Sequence, residues 1–275
     1  MALNVGAFPD LMPLAGVPDF DRVALRYDET RALPESVMGS ILAELKLHFS
    51  RGPRTLDAGC GTGRLLVPLQ KAGWNIWGVD VSREMLKRAR QNGAESLFRG
   101  DLRRLPLPDK RFDSALIVQV LHLIPDYKEA LREICRVAKV SLLAVATEGE
   151  GPSLHDQYRA EMKKRGLHPT APSRTAFDLL KGIASKRFIN EAAKWETESA
   201  ADKELERLND RLYSFQWKVP DEVHKEIITV LETEHAGKVY YRMKRAFVGC
   251  WYIKDLEAAL AYEAGEWPIR EKAPA

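Results

Sequence analysis

The stretch Leu56-Asp57-Ala58-Gly59-Cys60-Gly61-Thr62-Gly63 decides the fold, because it joins an apolar run to an amphipathic segment. The run Arg54–Ala58 predicts a strand, and leucines at helical spacing begin at Leu65. Glycines adopt backbone angles that are closed to other residues and let the main chain approach a ligand closely. Three alternating glycines exceed what a bare strand–helix turn requires, so they favour a ligand site at this turn.

The first 150 residues repeat this alternation of apolar runs and amphipathic segments. Further strands are predicted at Trp74–Val79, Ser96–Arg99, Asp113–Val118 and Val140–Ala146. Ser82 and Asp126 stand where side chains cap the N-termini of the helices that follow. Repeated strand–helix units fold most economically as a mostly parallel sheet with right-handed crossovers and helices on its faces. The sequence therefore predicts an α/β protein.

The second half of the chain has a different character. Residues 150–187 are polar and basic, with several glycines and prolines. Residues 188–198 predict a strand, and Val239–Ile253 predicts either one long strand or two strands broken near Gly249. Between these strands, apolar residues at helical spacing predict one helix around Leu208 and another around Ile227.

The composition excludes several classes of protein. The chain has 275 residues, 45% of them hydrophobic, and its net charge of +3 does not by itself demand a nucleic-acid partner. The three cysteines, Cys60, Cys135 and Cys250, lie far apart, so neither a metal site nor a disulfide framework is predicted. The sequence shows no signal-peptide pattern and no membrane-length apolar run. We expect a cytoplasmic protein, with residues 1–19 as a proline-interrupted arm.

Acidic residues follow two of the predicted strands. In a parallel α/β sheet, ligands lie beyond the carboxyl ends of the strands. Asp80, 21 residues after Gly59, can accept hydrogen bonds from the hydroxyls of a ribose. Asp101 can accept from an adenine amine while Leu102 lies against the ring; alternatively, Asp101 is an ordinary turn or cap acid.

The spacing of the glycines separates two classes of ligand. A dinucleotide-binding turn reads G-x-G-x-x-G, and its third glycine would fall at Arg64. Gly63 comes one residue early, which favours a ligand without a pyrophosphate. Gln119 and His122 follow the fourth strand and would lie near the reactive part of such a ligand. His122 is interpreted either as a hydrogen-bonded wall of the pocket or as a general base.

These motifs resemble the small-molecule branch of the class I S-adenosylmethionine-dependent methyltransferases, which includes enzymes of ubiquinone and menaquinone biosynthesis. The resemblance covers Thr55–Asp126 and rests on the glycine turn, Gly78-Val79-Asp80-Val81-Ser82 and Gly100-Asp101-Leu102. Tyr27-Asp28-x-x-Arg31 is similar to the family's entry segment, where an aromatic and a basic residue close over the methionine end. The stretch Ala138-Lys139-Val140-Ser141 departs from the family's Lys-Pro-Gly-Gly and puts the shape of that loop in doubt.

The resemblance implies a Rossmann-like, seven-stranded, mostly parallel sheet with one antiparallel strand and helices on both faces. It also implies S-adenosylmethionine as methyl donor, S-adenosylhomocysteine as its product and a small-molecule acceptor. The implied cofactor-binding residues are Tyr27, Arg31, Asp57, Gly59, Cys60, Gly61, Asp80, Val81, Asp101, Leu102 and Gln119. His122 is the one catalytic candidate, and no metal ligand is expected. One methyltransferase domain is expected over residues 20–275, with helical lid insertions over the acceptor pocket at 151–187 and 199–237.

Other functions stay open. An RNA or protein methyltransferase would use a basic surface formed by Arg99, Arg103, Arg104, Lys110 and Arg111. A solvated charged face explains these residues more simply, since the sequence carries no recognisable RNA-binding module. A non-enzymatic sensor of an adenosyl ligand and a dinucleotide oxidoreductase form a third class of hypothesis. The acceptor, the methylated atom and the oligomeric state are not predicted.

Overall fold

A mixed sheet of seven strands organises the computed structural model, which describes residues 20–48, 53–168, 176–184 and 186–263. The strands are β1 (Thr55–Ala58), β2 (Ile76–Asp80), β3 (Leu97–Arg99), β4 (Phe112–Val118), β5 (Ala138–Glu150), β6 (Phe188–Ala200) and β7 (Val239–Tyr252). Their order across the sheet is β3-β2-β1-β4-β5-β7-β6. Strand β7 pairs antiparallel with both β5 and β6, while β1 to β5 pair in parallel. The predicted sheet with one antiparallel strand is confirmed.

Helices cover both faces of this sheet. Those in the described residues are α1 (Tyr27–Arg31), α2 (Glu35–His48), α3 (Leu66–Lys71), α4 (Arg83–Gln91), α5 (Tyr127–Val137), α6 (Leu154–Lys164), α7 (Ala176–Lys181), α8 (Ala201–Asn209), α9 (Asp221–His235) and α10 (Ile253–Glu263). Short 3₁₀ segments lie at Phe20–Val23, Leu121–Leu123 and Ser214–Gln216. The predicted arm at residues 1–19 lies outside the described residues.

Each face of the sheet carries an apolar core, because side chains on a strand point alternately to opposite faces. On one face, Leu56, Ala115 and Leu142 pack with apolar residues of α5 and α10. On the other face, Leu116 and Leu143 pack with residues of α2 and α3. The central strands are therefore buried on both sides, which explains why they read as continuous apolar runs.

The two predicted helix caps have different outcomes. The Ser82 hydroxyl accepts a hydrogen bond from the Met85 backbone N–H at 3.0 Å, so this cap is confirmed. Asp126 precedes α5, but its side chain makes no cap hydrogen bond, so that prediction is wrong. The carboxylate of Asp126 lies instead 3.6 Å from the Arg103 guanidinium, and the helix begins on the backbone oxygen of Asp126.

The last three strands extend the sheet beyond its central part. Strand β7 is continuous over Val239–Tyr252, so the alternative of two strands broken near Gly249 is excluded. A Cβ at Gly249 would lie 2.8 Å from the ring of Trp251, so the glycine makes room for that buried indole. The pairing of β5 with β7 runs out to Glu150 opposite Met243, well past the end of β4.

Three helices of the second half form a unit of their own. Helices α6, α8 and α9 share an apolar cluster that includes Tyr158, Leu208 and Ile227, all of them buried. The short helix α7 packs elsewhere, against β5. Its residues Phe177 and Leu180 belong to the core that also contains α5 and α10. None of the described helices is both long enough and apolar enough to span a membrane.

Candidate active site

A cleft lies beyond the carboxyl ends of β1, β2 and β4 and encloses a volume of about 660 Å³. Among the residues predicted to bind the cofactor, those that line the cleft are Tyr27, Gly59, Gly61, Asp80, Val81, Asp101, Leu102 and Gln119. Asp57 and Cys60 are buried beneath the glycine turn, and Arg31 lies to one side. Most of the predicted set is thus brought together at one place.

The glycine turn is held by the second strand. The backbone N–H groups of Gly59 and Cys60 donate to the Val79 carbonyl at 2.8 and 3.0 Å. Gly59 has φ +80°, and a Cβ there would lie 2.5 Å from the Val120 side chain. Gly61 has φ +54°, but a Cβ there would meet nothing within 4 Å. Gly59 therefore serves internal packing, whereas Gly61 leaves open space for a ligand.

Asp80 is fixed by backbone donors on both sides. One carboxylate oxygen accepts from the Gly61 N–H at 2.9 Å, and the other accepts from the Ser82 N–H at 2.9 Å. Burial raises the pKa of Asp80, while these backbone N–H groups oppose the shift. Each oxygen keeps lone-pair capacity, so the carboxylate can accept the two hydroxyls of a ribose.

Asp57 is buried behind Asp80 with an unused acceptor. Its Oδ1 atom is buried and has no hydrogen-bond partner among the described residues. Burial, together with the negative charge of Asp80, raises the pKa of Asp57 to about 7. An unpaired buried acceptor costs free energy unless something satisfies it. A donor group on a bound ligand would satisfy it here.

Asp101 lines the cleft, but its carboxylate is already engaged. Arg103 donates to Asp101 through its backbone N–H at 2.9 Å and through Nε and Nη2 at 3.0 to 3.2 Å. A bidentate Arg–carboxylate pair of this kind holds the turn after β3 in place. Both interpretations of Asp101, as turn acid and as adenine contact, are compatible with this position, and the adenine contact stays a prediction.

Gln119 ends β4 in an unusual conformation. Its φ is +55°, in the left-handed region that costs a non-glycine residue about 1 kcal/mol or more. The side-chain amide donates to the Thr147 hydroxyl at 3.5 Å. Strain of this kind persists where the surroundings enforce it, and it occurs often at functional sites. The main chain therefore turns at Gln119 at the edge of the cleft.

His122 does not line the cleft. It lies in the 3₁₀ segment Leu121–Leu123, and its Nδ1 atom is buried without a hydrogen-bond partner among the described residues. Burial lowers the pKa of His122 to about 4, and the positive charges of Arg31 and Arg159 add to the shift. The imidazole is therefore neutral at physiological pH, and the roles of wall and base both stay predictions.

A second, polar space, here called the chamber, adjoins the cleft through the contact between Gln119 and Thr147. It is bounded by the end of α1, the outer ends of β5, β6 and β7, and α8, and it encloses about 1370 Å³. Its polar lining includes Arg31, Thr147, Thr197, Glu204, Arg242 and Lys244. No sequence motif pointed to Thr197, Arg242 or Lys244.

Tyr27 and Arg31 stand at the boundary between the two spaces. Tyr27 lines the cleft, whereas Arg31 lines the chamber. The Arg31 guanidinium lies 5.9 Å from the centre of the Tyr27 ring and 5.3 Å from that of Tyr213. Its backbone oxygen accepts from Arg64, which ties α1 to the helix after the glycine turn.

Apolar residues of the cleft were missed by sequence reasoning. The wall includes Phe20, Met85, Val118, Val120, Leu123 and Ile124. Their side chains come from the first 3₁₀ segment, α4, the end of β4 and the loop after it. All of these except Phe20 lie within Thr55–Asp126, the stretch that resembles the family, but nothing in their spacing distinguishes a cleft wall from ordinary core.

The basic surface expected for a nucleic-acid partner is largely used inside the protein. The Arg99 Nε donates to the Val81 carbonyl at 2.8 Å, and Arg103 is paired with Asp101. Lys110 contacts Glu257 at 2.6 Å and two backbone carbonyls near the end of α5. These cations stabilise turns and a helix end, which leaves fewer of them for phosphates.

The family comparison agrees with this geometry. Residues 56–141 match the family model described as a methyltransferase domain. Residues 56–141 therefore form a methyltransferase domain. Among the described residues, no group of three or more His, Cys, Asp or Glu side chains is arranged to hold a metal ion.

Two relatives that are named as methyltransferases match about half of the chain. A demethylmenaquinone methyltransferase of Geobacillus kaustophilus is 34% identical over 118 residues, which are 40% of this chain and 50% of the relative. A malonyl-[acyl-carrier protein] O-methyltransferase of Pectobacterium atrosepticum is 35% identical over 156 residues, which are 55% of this chain and 59% of the relative. The matches thus span little more than half the length of either relative.

Solved structures share the fold at low sequence identity. The YcgJ protein of Bacillus subtilis superposes with a TM-score of 0.50 at 21% identity, over 77% of this chain and 97% of that one. A proposed methyltransferase of Bacillus halodurans C-125 gives a TM-score of 0.51 at 19% identity, over 78% and 99% of the two chains. This likeness concerns the fold alone.

Proposed function

We propose that the protein transfers a methyl group from S-adenosylmethionine to a small-molecule acceptor that enters the chamber. The observation that carries the proposal is the cleft beside the glycine turn, where Asp80 is held by the N–H groups of Gly61 and Ser82. Gln119 of the cleft lining donates to Thr147 of the chamber lining at 3.5 Å, so the two linings meet at this contact. A donor site and an acceptor site then share one boundary.

The residues of the cleft fit the proposed cofactor. Asp80 would accept the ribose hydroxyls, Val81 and Leu102 would lie against the adenosine, and the open space over Gly61 would admit the ligand to the backbone. Arg31, beside Tyr27, would hold the methionine carboxylate. The unused Asp57 oxygen is a candidate acceptor for a polar hydrogen from the same ligand.

The chain's own part in the reaction is to align the acceptor and exclude water. The cofactor supplies a sulfonium methyl group: the acceptor atom bonds to the methyl carbon, the carbon–sulfur bond breaks, and its electron pair stays on sulfur. Alignment supplies much of the rate of such an in-line displacement. A proton on the acceptor must be taken up by a base or by water, and His122 is the candidate base beside Arg31.

The three-helix unit is proposed to close the acceptor site. Glu204 and Arg207 of α8 and His155 of α6 line the chamber, so this unit forms one of its walls. The insertions at 151–187 and 199–237 would then act as the lid. Helix α7 would not be part of it, because α7 packs in the core that contains α5 and α10. The lid excludes water from the reacting atoms when an acceptor is bound.

The names of the relatives support an acceptor of small size or one carried on a small protein. Demethylmenaquinone is a quinone, and the malonyl group of the second relative is carried on acyl-carrier protein. The chamber, at about 1370 Å³, has room for such a group. The internal use of Arg99, Arg103 and Lys110 weighs against an RNA acceptor.

Two experiments test the proposal. In calorimetric titrations, S-adenosylhomocysteine should bind and NAD should not, and Asp80→Ala should weaken binding by about a hundredfold through loss of the charged acceptor. Glu95→Ala, at an exposed position after α4, is the matched control and should bind as the wild type does.

The second experiment separates the classes of acceptor. Protein is incubated with S-adenosylmethionine labelled in its methyl group and with cell extract divided into small-molecule, RNA and protein fractions. Label should enter the small-molecule fraction, with an equal amount of S-adenosylhomocysteine formed. Label in RNA, or in protein other than on a group carried by a small carrier protein, would contradict the proposed acceptor, and binding without any transfer would favour a sensor.

A further inference from the structure

The chamber contains two cations, Arg242 and Lys244, that form no ion pair with an acidic side chain among the described residues. Lys244 makes no hydrogen bond or ion pair with any residue that the structure describes, although it is partly buried. Within the described part of the chain, Arg242 donates only to the Gly149 carbonyl, at 3.2 Å, and its buried Nε atom has no partner there. Unpaired cations in a partly buried space are costly, so their presence calls for an anion.

The acidic residues of the chamber are engaged elsewhere. Glu204 receives hydrogen bonds from His155 at 2.6 Å, from Tyr213 at 2.5 Å and from Arg207 at 3.2 Å. Glu29 pairs with Arg26 at 3.1 Å. A carboxylate that already holds three donors has little capacity for Lys244, so the surplus of positive charge remains.

The strand geometry removes two other carboxylates from the chamber. Glu148 and Glu198 are exposed and alternate with Thr147, Gly149 and Thr197 along β5 and β6. Side chains of neighbouring strand residues point to opposite faces. These glutamates therefore contribute backbone to the chamber wall, while Arg242 and Lys244, two residues apart on β7, share the chamber face.

Arg242 is held in place by a glycine. A Cβ at Gly149 would lie 3.1 Å from Arg242 Nη2 and 3.3 Å from its central carbon, so the guanidinium lies flat over that residue. Lys244 is the strand partner of Gly149. The two cations thus flank one backbone position, about two residues beyond Thr147 along β5, which is roughly 7 Å from the boundary with the cleft.

We infer that the acceptor carries an anionic group, a carboxylate or a phosphate, which Arg242 and Lys244 bind in the chamber. That the bound molecule is a methyl acceptor rests on the proposed function, but the anion site itself does not require methyl transfer. Arg31 is left to the cofactor, so the two anions have separate partners. Burial and the positive charge of Arg242 lower the pKa of Lys244, and a bound anion would reverse that shift.

The test is an NMR titration of the protein saturated with S-adenosylhomocysteine. The titrants are glutarate, its neutral analogue glutaramide and inorganic phosphate. Glutarate or phosphate should bind, the preferred one identifying the anion, and glutaramide should not. Lys244→Met should weaken anion binding about tenfold, and Lys244→Arg should recover most of it. Lys194→Met, an exposed lysine of β6 outside the chamber lining, should match the wild type.

The outcomes distinguish this inference from the proposed function. If S-adenosylhomocysteine does not bind, the proposed function fails, and the same titration of the ligand-free protein still tests the anion site. If glutarate, phosphate and glutaramide bind alike or not at all, or if Lys244→Met binds anions as the wild type does, the anion site is wrong. A tenfold loss of S-adenosylhomocysteine affinity in Lys244→Met would also overturn it, since Lys244 would then serve the cofactor.

Discussion

The cleft and the chamber are built by different means. The cleft is formed within residues 20–124, largely from backbone at strand ends and from apolar side chains. The chamber draws residues from Glu29 to Lys244, and its polar surface is made of ion pairs and hydrogen bonds between side chains. One site depends on where the main chain runs, the other on which side chains it carries.

This difference fits the two ligands proposed for the sites. For a cofactor that does not change, a site made of backbone and a few fixed acids can stay unchanged. An acceptor differs from one enzyme to another, and side chains on the outer ends of β5, β6 and β7 can be exchanged without disturbing the sheet. The family match to residues 56–141 ends within β5 and contains none of the residues that line the chamber.

The largest effect is expected at Asp57, in the backbone-built half. Its folded-state pKa is raised to about 7, mainly by burial, so between about pH 4 and pH 7 the folded chain holds a proton that the unfolded chain has released. The free energy of unfolding of the ligand-free protein therefore falls as the pH rises through this window, by on the order of 4 kcal/mol. In urea unfolding at pH 5 and pH 8, the free energy of unfolding of Asp57→Asn should fall less between the two pH values than that of the wild type.

The comparison of slopes isolates Asp57 from other groups. Asp80 also has a raised pKa and is present in both proteins, so only its charge interaction with Asp57, which ranks below burial in raising the pKa of Asp57, enters the difference. The asparagine adds a cost that is the same at both pH values, so it shifts the absolute stability and leaves the slope to report on the carboxyl. Equal slopes for the two proteins would show that Asp57 does not titrate with a raised pKa.

Gly59 should show how strictly the main chain of the cleft is constrained. Gly59→Ala forces a side chain into the left-handed region at φ +80° and within 2.5 Å of Val120, so a loss of about 3 kcal/mol in the free energy of unfolding is expected. Gly73→Ala has the same backbone problem at φ +83° but meets nothing within 4 Å, and should cost about 1 kcal/mol. Similar losses in both would mean that packing against Val120 is unimportant.

The cleft could be predicted because its determinants are local in the sequence. The strand, the glycines and Asp80 lie within the 27 residues from Arg54 to Asp80, and the pattern alone requires the turn between them. Strand ends also place Asp101 and Gln119 on the correct edge of the sheet. The wrong cap prediction at Asp126 has a local cause as well, because the Asp126 carboxylate contacts Arg103 and no cap pattern contains that contact.

The chamber could not be predicted because it depends on pairing distant in sequence. Lys244 lies beside Gly149 only through the antiparallel pairing of β5 with β7, and strand signals do not specify that register. The charged residues of β7 read as an ordinary exposed strand, and the surplus of positive charge appears only when the partners of Glu204 are known. His122 was predicted to lie at a strand end beside the ligand, but it belongs to the 3₁₀ segment Leu121–Leu123 and does not line the cleft.

Glu204 tests the claim that the chamber depends on side-chain pairing. Burial opposes its ionisation, but hydrogen bonds from His155, Tyr213 and Arg207 together hold its pKa below the usual value. Glu204→Gln should lower the free energy of unfolding by about 2 kcal/mol at neutral pH and leave S-adenosylhomocysteine affinity unchanged. Glu206→Gln, an exposed neighbour on α8, should change stability by less than about 0.5 kcal/mol in the same denaturant titrations. A loss of cofactor affinity in Glu204→Gln would mean that the two sites are not separate.

The smallest effect expected is on His122, whose pKa responds to the charge of Arg31 in the chamber lining. Its pKa of about 4 is caused by burial and by repulsion from Arg31 and Arg159, so an anion bound in the chamber should raise that pKa by about one unit. The shift is measured by NMR titration of the ring proton with and without glutarate, with His122→Gln to assign the signal. A base works best when its pKa is near the working pH, so an upward shift would couple acceptor binding to proton removal. An unchanged pKa with glutarate bound would leave His122 as a wall of the pocket, because the anion would then lie too far away to act on it.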